Sequence, residues 1–412
     1  MTRRDNAGHA PEIVLDLSRL VSRFRHEAPT GVDRVELAYA REMLALIPER
    51  LSFAAVHPAG RRYGRIATPA AIRFIRQTEV EWGSGRVGRP GSLGRWWRHV
   101  RTLWSLRPRR VPAATRPRVL VQSSPHHLDE QAVVERILRR EGARLVCLLH
   151  DLIPVEYPEY ARPGGDREHL KRICTIARLA SAVVANSQAT LDAFAPHLRE
   201  TGRTIPMAVA HLGLDGGDQR GAASSMRSTE RPYFIIIGTI EPRKNHLLLL
   251  HLWRRLAEVR GPLAIPKLIV IGRRGWENEQ VVDLLERCGI LRDCVEERGR
   301  VSDETMRELL SGARALLLPS FAEGYGMPVP EALAAGVPVL CSDLPALKEA
   351  GGTVPDYLDP LDGRGWTEAI LDYADPASPR RQAQMERMRH WTPPSWLGHI
   401  ELVLNLTQEI GE

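Results

Sequence analysis

The sequence predicts an α/β protein. Short β-branched or leucine-rich runs (IVLDL, RLVCLLHDL, YFIII, KLIVI, ARALLLP, PVLCS) recur along the chain between stretches of helical periodicity such as VDRVELAYAREML and HLLLLHLWRRL. That alternation is the pattern of parallel sheets covered on both faces. At 412 residues with 43% hydrophobic content the chain has room for two domains of ordinary size. Apolar periodicity gives way to Gly, Ser and charge over residues 213–232. The expected plan is therefore an N-terminal domain over 1–215, a linker over 216–232 and a C-terminal domain over 233–390. A terminal helix over 391–412, after a proline break, is expected to cross back to the first domain.

Composition narrows the function classes. The first residues, MTRRDNAGHAPE, have no apolar core, and no stretch reaches the length of a membrane span, so a cytoplasmic protein is expected. The five cysteines, Cys147, Cys174, Cys288, Cys294 and Cys341, are scattered and lack zinc-ligand spacing, which reads as buried reduced thiols. A net charge of +7 could suggest nucleic acid or anionic lipid, but its distribution decides more. Residues 86–110 hold eight arginines and no acid; without them the 57 basic residues fall to 49 against 50 acidic ones. The excess is one local patch.

Two constellations could carry chemistry. The first is GTIEPRKN, residues 238–245, directly after the strand Tyr233 to Ile237. Gly238 permits a tight exit, and Arg243, Lys244 and Asn245 stand just before a helix opening near His246. Two cations beside the free N–H groups of a helix start suit a diphosphate, and a plain solvated loop is the competing reading. The second is the pair Glu323 and Glu331 in FAEGYGMPVPEALAAGVPVL, following the apolar strand Ala313 to Pro319. A helix from Pro328 to Gly336 would carry Glu331 in its first turns, where a carboxylate can accept from vicinal hydroxyls such as a ribose diol. Open α/β sheets put ligands at this end of their strands. The bare spacing alone fits two solvent-facing glutamates.

With these motifs together, the chain resembles retaining glycosyltransferase family 4, of the GT-B fold. The resemblance rests on PSFAEGYGMPVPEALAAGVPVLCSD, GTIEPRKN, IGRRGW at 271–276, VSDETMRELL at 301–310, LLHDLIPVEYPEY at 148–160 and VVANSQAT at 183–190. The region from about 52 to 117 has no counterpart. The chain looks most like the bacterial branch that adds mannose or related hexoses during surface polysaccharide assembly. The resemblance implies two Rossmann-like domains facing a central cleft. It implies that Glu331 holds the donor ribose, that Glu323 with the backbone of Gly324, Tyr325, Gly326 and Met327 holds the donor sugar, and that Arg243 and Lys244 hold the diphosphate. Gly238, Thr239, Asn245 and Arg273 complete the donor side. Many relatives carry Arg where this chain has Thr239, so the phosphate clamp is leaner here or completed elsewhere.

The resemblance also implies that His150 and Asp151, at the end of strand RLVCLL, belong to the cleft, with His150 beside the donor sugar. In TGVDRVE at 30–36, Thr30 and Asp33 form a capping-box pattern that starts a helix at Gly31. By resemblance this glycine faces the donor phosphates; a plain helix cap is the equal alternative. Catalytic work falls to His150, Asp151, Lys244 and Glu323.

The expected donor is a nucleotide hexose, GDP-mannose or a UDP-hexose, used without cofactor or metal; Asp-x-Asp, a common metal clamp, is absent from the sequence. Sugar–diphosphate cleavage builds negative charge on the leaving oxygen, and each preorganised donor aimed there is worth about 3 kcal/mol. The two glutamates suit binding better than the covalent role of retaining glycosidases. Front-face attack by the acceptor hydroxyl, with the leaving phosphate oxygen taking its proton, is the favoured course. A catalytically silent, membrane-associated sugar-nucleotide-binding module of the same fold is the alternative.

Within GSLGRWWRHVRTLWSL, Leu93, Trp96, Trp97, Val100 and Trp104 recur near helical spacing with arginines between them. That suits an anionic membrane surface and a lipid-linked or polysaccharide acceptor; a Trp-rich helix packed in the N-terminal domain competes, and nucleic acid is disfavoured.

Overall fold

The computed structural model describes residues 10–24, 26, 29–83, 101–215 and 231–411. The chain forms two compact units. Unit 1 comprises Met1–Val155, Asp166–Leu212 and Trp396–Glu412, and unit 2 comprises Glu156–Gly165 and Gly213–Ser395.

Unit 1 is built on a seven-stranded sheet from β1 (Glu12–Asp16), β2 (Leu51–His57), β3 (Arg62–Ile66), β4 (Arg118–Gln122), β5 (Ala143–Leu149), β6 (Ala182–Ala185) and β7 (Met207–Val209), in the order β3-β2-β1-β4-β5-β6-β7. β1 is flanked by β2 and β4, so the order reverses there and the carboxyl ends of β1 and β4 diverge into a crevice. A fully parallel sheet is not what forms: β3 pairs antiparallel with β2. The reason is local, because only four residues connect the two strands, and Gly60 and Arg61 in that turn take positive φ of 84° and 47°. So short a link makes a hairpin and excludes a crossover.

The strands of unit 1 are almost wholly apolar, as two-sided burial requires. Val14, Leu120, Leu145, Cys147, Val183 and Phe194 lie in one continuous core. At the opposite end from the crevice, Arg65 bridges Glu12 (2.7 Å) and Glu141 (2.7 Å), and Arg118 bonds Glu12 at 2.8 Å. These charges satisfy one another, and Glu12 and Arg118 open β1 and β4, which assigns them to structure. The terminal helix Trp396–Gly411 packs on the helix Gly31–Leu46. There the His399 Nδ1 lies 3.1 Å from the His211 carbonyl, which can only accept, so Nε2 is the acceptor for the Tyr39 hydroxyl at 2.7 Å.

Unit 2 has six parallel strands, β8 (Tyr233–Ile237), β9 (Lys267–Ile271), β10 (Val295–Gly299), β11 (Leu316–Leu318), β12 (Val339–Ser342) and β13 (Asp356–Leu358), ordered β10-β9-β8-β11-β12-β13. The reversal falls between β8 and β11, so the loops leaving those two strands border the crevice. Trp253 and Trp366, both fully buried, fill the core beside Phe234, and their indole N–H groups bond the carbonyls of Pro266 (2.8 Å) and Asp359 (2.9 Å).

Two boundaries differ from the sequence reading. The strand expected over 313–319 is confined to Leu316–Leu318, because Ala313 closes the preceding helix through its N–H to the Leu310 carbonyl. Residues 156–165, placed in the first domain from sequence, pack with unit 2 through the aromatic contacts described below. Most of the expected linker, and residues 84–100 of the basic tryptophan-rich segment, lie outside the described residues.

Candidate functional site

The site in unit 2 starts where β8 ends. Gly238 leaves the strand at a φ of 148°, and its N–H bonds the Ile271 carbonyl at 2.9 Å. At Gly272 a Cβ would stand 1.7 Å from the Gly238 carbonyl oxygen, so the exits of β8 and β9 touch backbone to backbone and glycine is required there. Pro242–Lys244 then form a 3-10 turn, and Asn245 takes a left-handed conformation (φ 54°) before the helix His246–Arg260. The Asn245 side chain donates to the Pro360 carbonyl at 3.0 Å, which gives this residue a structural bond.

From this turn Arg243 and Lys244 meet the loop after β11. The Glu323 carboxylate accepts from Arg243 Nη1 at 2.9 Å, from the Ser320 hydroxyl at 2.7 Å and from the Lys244 ammonium. Arg243 also reaches the Ala322 carbonyl (2.9 Å) and, through Nε, Glu241 at 2.7 Å. A backbone bond from Phe321 N–H to the Arg243 carbonyl, 2.8 Å, ties the two loops directly. Burial alone would raise the Glu323 carboxyl, but Lys244 and Arg243 beside it bring it down to about 2. Burial pushes the Lys244 ammonium down, against the pull of Glu323, and pushes the Glu241 carboxyl up, against Arg243. The result is a preorganised set of two cations and two carboxylates, with Glu323 ionised at neutral pH.

The rest of the Glu323 loop is shaped by sterics. Gly326 has a φ of 88°, and a Cβ there would come 2.2 Å from Leu347 Cδ2, so both the conformation and the space demand glycine. Gly324 and Tyr325 are buried, and Tyr325, 3% exposed, contributes its ring to packing. Met327 precedes the helix Pro328–Ala334, and Glu331 lies in its first turn, partly buried, with its N–H on the Met327 carbonyl at 3.2 Å. Thr239 is partly buried; Arg273 exposes its side chain while its carbonyl receives the Ile240 N–H at 2.9 Å. The structure thus brings Arg243, Lys244 and Glu323 into one cluster. Sequence reasoning missed Glu241 and Ser320 as members of it, although both lie within three residues of a residue it singled out.

In unit 1, His150 follows β5. Its Nε2 lies 2.7 Å from the Ser123 carbonyl and must carry the proton, leaving Nδ1 as the basic nitrogen. Burial holds this imidazole below its ordinary range, hence neutral. Asp151 Oδ1 accepts the Ile153 N–H at 3.2 Å and so supports the short helix Ile153–Glu156. The capping box at Thr30 and Asp33 is formed, and Asp33 is paired with Arg19 (2.6 Å) and Arg23 (2.9 Å). Gly31 is exposed at the helix start, with open space where a Cβ would be.

Sequence reasoning also missed a buried acidic pair in the unit 1 crevice. Asp16 ends β1 and accepts the Ser18 N–H (2.9 Å) and hydroxyl (2.8 Å). Glu36, fully buried, accepts the Leu20 N–H at 2.9 Å. Burial, then the Asp16 charge, pushes Glu36 up to about 8, and burial pushes Asp16 up to about 6. The available signal was two acids inside otherwise apolar periodic runs.

The model of the family described as Glycosyl transferases group 1 matches residues 221–351. That stretch is similar to a group 1 glycosyltransferase domain. Every member of the Arg243, Lys244 and Glu323 cluster lies inside it, as does Glu331.

Curated relatives of this chain include O-antigen chain mannosyltransferase B of Escherichia coli, 36% identical over 167 residues, 40% of this chain and 42% of that protein. The serotype-specific mannosyltransferase WbdA of E. coli is 27% identical over 362 residues, 83% of this chain and 39% of that protein. The chain therefore spans about two fifths of the length of these relatives. Among solved structures, sucrose-phosphate synthase from Thermosynechococcus elongatus superposes with a TM-score of 0.63 at 16% identity, covering 98% of this chain and 99% of that one. Anabaena Alr3699/HepE in complex with UDP gives 0.58 at 17% identity, covering 95% and 98%. At these identities the likeness is one of fold, the GT-B class of two Rossmann-like units around parallel sheets.

Proposed function

We propose that the protein is a retaining glycosyltransferase that moves a hexose, mannose in the favoured reading, from a nucleotide-diphosphate sugar to a lipid-linked or polysaccharide acceptor in cell-surface glycan synthesis. The observation that carries this reading is the Arg243, Lys244 and Glu323 cluster at the switch point of the group 1 domain. The mannosyltransferase relatives support the preference for mannose.

In this reading Lys244 and Arg243 stabilise the departing diphosphate, and preorganised donors of that kind are each worth about 3 kcal/mol of barrier. Their charges are held in place by Glu323 and Glu241 before substrate arrives, so little reorganisation is needed at the moment of reaction. Glu323 keeps acceptor capacity for a sugar hydroxyl, and Glu331 for the ribose. His150, neutral with a basic Nδ1, serves the acceptor hydroxyl in unit 1. Attack from the face of the departing phosphate retains configuration, the phosphate oxygen takes the proton, and no metal is used.

Peripheral attachment at the inner face of the plasma membrane belongs to the same proposal. Trp104 is 69% exposed, with the Arg107 guanidinium 4.6 Å over its ring, and Arg101, Arg109 and Arg110, within six residues of it in the chain, are exposed. An amphipathic ring with a cationic margin suits an anionic lipid surface.

A screen of GDP- and UDP-sugars with membrane lipid extract as acceptor, read by mass analysis of the product, tests the proposal. Transfer of a single hexose with retained configuration is expected. Saturable binding of a nucleotide sugar without any turnover would instead identify a silent binding module.

A further inference from the structure

The segment Glu156–Gly165 belongs to unit 2, whereas the residues that flank it in the chain belong to unit 1. Its 3-10 turn Pro158–Tyr160 lays the Tyr160 ring on Phe321, with centroids 6.0 Å apart and planes within 7°. Trp276 donates from Nε1 to the Tyr160 carbonyl at 3.0 Å, and the Arg162 guanidinium covers the Trp276 ring at 4.8 Å. Both partners sit on loops of the candidate site. Phe321 lies between Ser320 and Glu323 and is bonded by its N–H to the Arg243 carbonyl. Trp276 belongs to the loop after β9, where Gly275 N–H and Asn278 Nδ2 each reach the Ile240 carbonyl at 2.9 Å.

We propose that Glu156–Gly165 is a positioning strap for the donor site. Tyr160 sets the place of Glu323 through Phe321, and Trp276 couples the loop bearing Arg273 to the same strap. A parallel ring pair and an indole N–H bond both have directional geometry, so together they define one arrangement of the two loops. Glu323 has its carboxylate shared among three donors, and a displaced Phe321 backbone would misdirect all three. What the loops hold rests on the proposed function; the strap itself rests on the contacts alone.

Tyr160→Ala and Tyr160→Phe separate the two. Tyr160→Ala is expected to speed amide exchange at Phe321 and Glu323 about tenfold while β9 keeps its protection, since local opening is governed by local contacts. Its donor KM should rise about tenfold with a smaller change in kcat, because misplacement of binding groups weakens alignment. Tyr160→Phe, which keeps the ring, should match the parent in both. Parent-like exchange in Tyr160→Ala, or equal damage in Tyr160→Phe, overturns the proposal. If Tyr160→Ala does not fold, Trp276→Phe decides: it removes the N–H donor and keeps a ring, and parent-like exchange at Phe321 and Gly275 in it overturns the strap. A parent that turns over no nucleotide sugar defeats the functional reading and leaves the exchange result to judge the strap.

Discussion

The Lys244 ammonium is paired with the Glu323 carboxylate, and the two side chains are only 9% and 6% exposed. Neither charge would be stable there alone. Two loops that leave different strands are thus joined by a bond that neither could replace with water.

Removing one partner is therefore costly. Glu323→Gln leaves Lys244 buried without its counter-charge, and loss of one member of such a pair typically costs about 3–5 kcal/mol. Urea denaturation should show that loss in unit 2. The double substitution Lys244→Met with Glu323→Leu removes both charges and should recover most of it. An additive double mutant would show that the pair is not coupled.

Most of the architecture was legible because strands and helices alternate by hydrophobic period, and the strand Tyr233–Ile237 and the helix from His246 have the bounds the periodicity suggests. The Pro328 helix start was legible from proline and glycine punctuation. The antiparallel edge strand was not, since direction there depends on a four-residue turn whose glycine and arginine adopt positive φ. Of the candidate site, the residue types could be picked out, but not that Glu323 is bound to the cations it was expected to work beside. That pairing is a tertiary fact, set by the distance between two loops. The Tyr160 strap was hidden for the same reason: its contacts span more than a hundred residues of chain, and no local pattern marks them.

Glu331 and Lys244 should differ in how they fail. Glu331 lies in the first turn of the helix Pro328–Ala334, and Glu331→Ala is expected to weaken nucleotide diphosphate binding about tenfold, the effect of losing one charged hydrogen bond of about 1.5–3 kcal/mol. Lys244→Ala should mainly lower kcat, by about a hundredfold, because its interaction strengthens as charge develops on the leaving oxygen. Calorimetric binding of UDP and GDP together with steady-state kinetics checks both. Normal binding in Glu331→Ala and normal kcat in Lys244→Ala would reject the site assignment.

The exposed Trp104 gives the membrane reading a direct test. Each basic residue near an anionic surface contributes about 1 kcal/mol, and an interfacial tryptophan adds an apolar anchor. Co-sedimentation with vesicles containing anionic phosphatidylglycerol should retain the parent and release it at high salt. Trp104→Ser should sediment several-fold less, with unchanged transfer to a water-soluble acceptor. Equal binding to neutral vesicles would remove the electrostatic basis of the proposal.

The acidic pair at the end of β1 makes stability depend on alkaline pH. Glu36, pushed up to about 8 from an ordinary value of 4.5, holds its proton in the folded state at pH values where the unfolded chain has lost it. Its contribution is therefore fully present below pH 4.5 and declines as pH rises through about 8, because above that value the folded protein must bury a second charge beside Asp16. Glu36→Gln keeps the acceptor for the Leu20 N–H and replaces the acid proton by an amide that cannot ionise. The variant should lose less stability than the parent between pH 5 and 9, by on the order of a few kcal/mol, in denaturation midpoints measured across that range. Asp16 ionises first, near 6, while Glu36 still holds its proton, so carbon-detected NMR of the Asp16 carboxyl should show its titration unchanged in the variant. A parent whose midpoint is flat from pH 5 to 9 would mean that Glu36 ionises without cost, and the pair would then be solvated in the folded state.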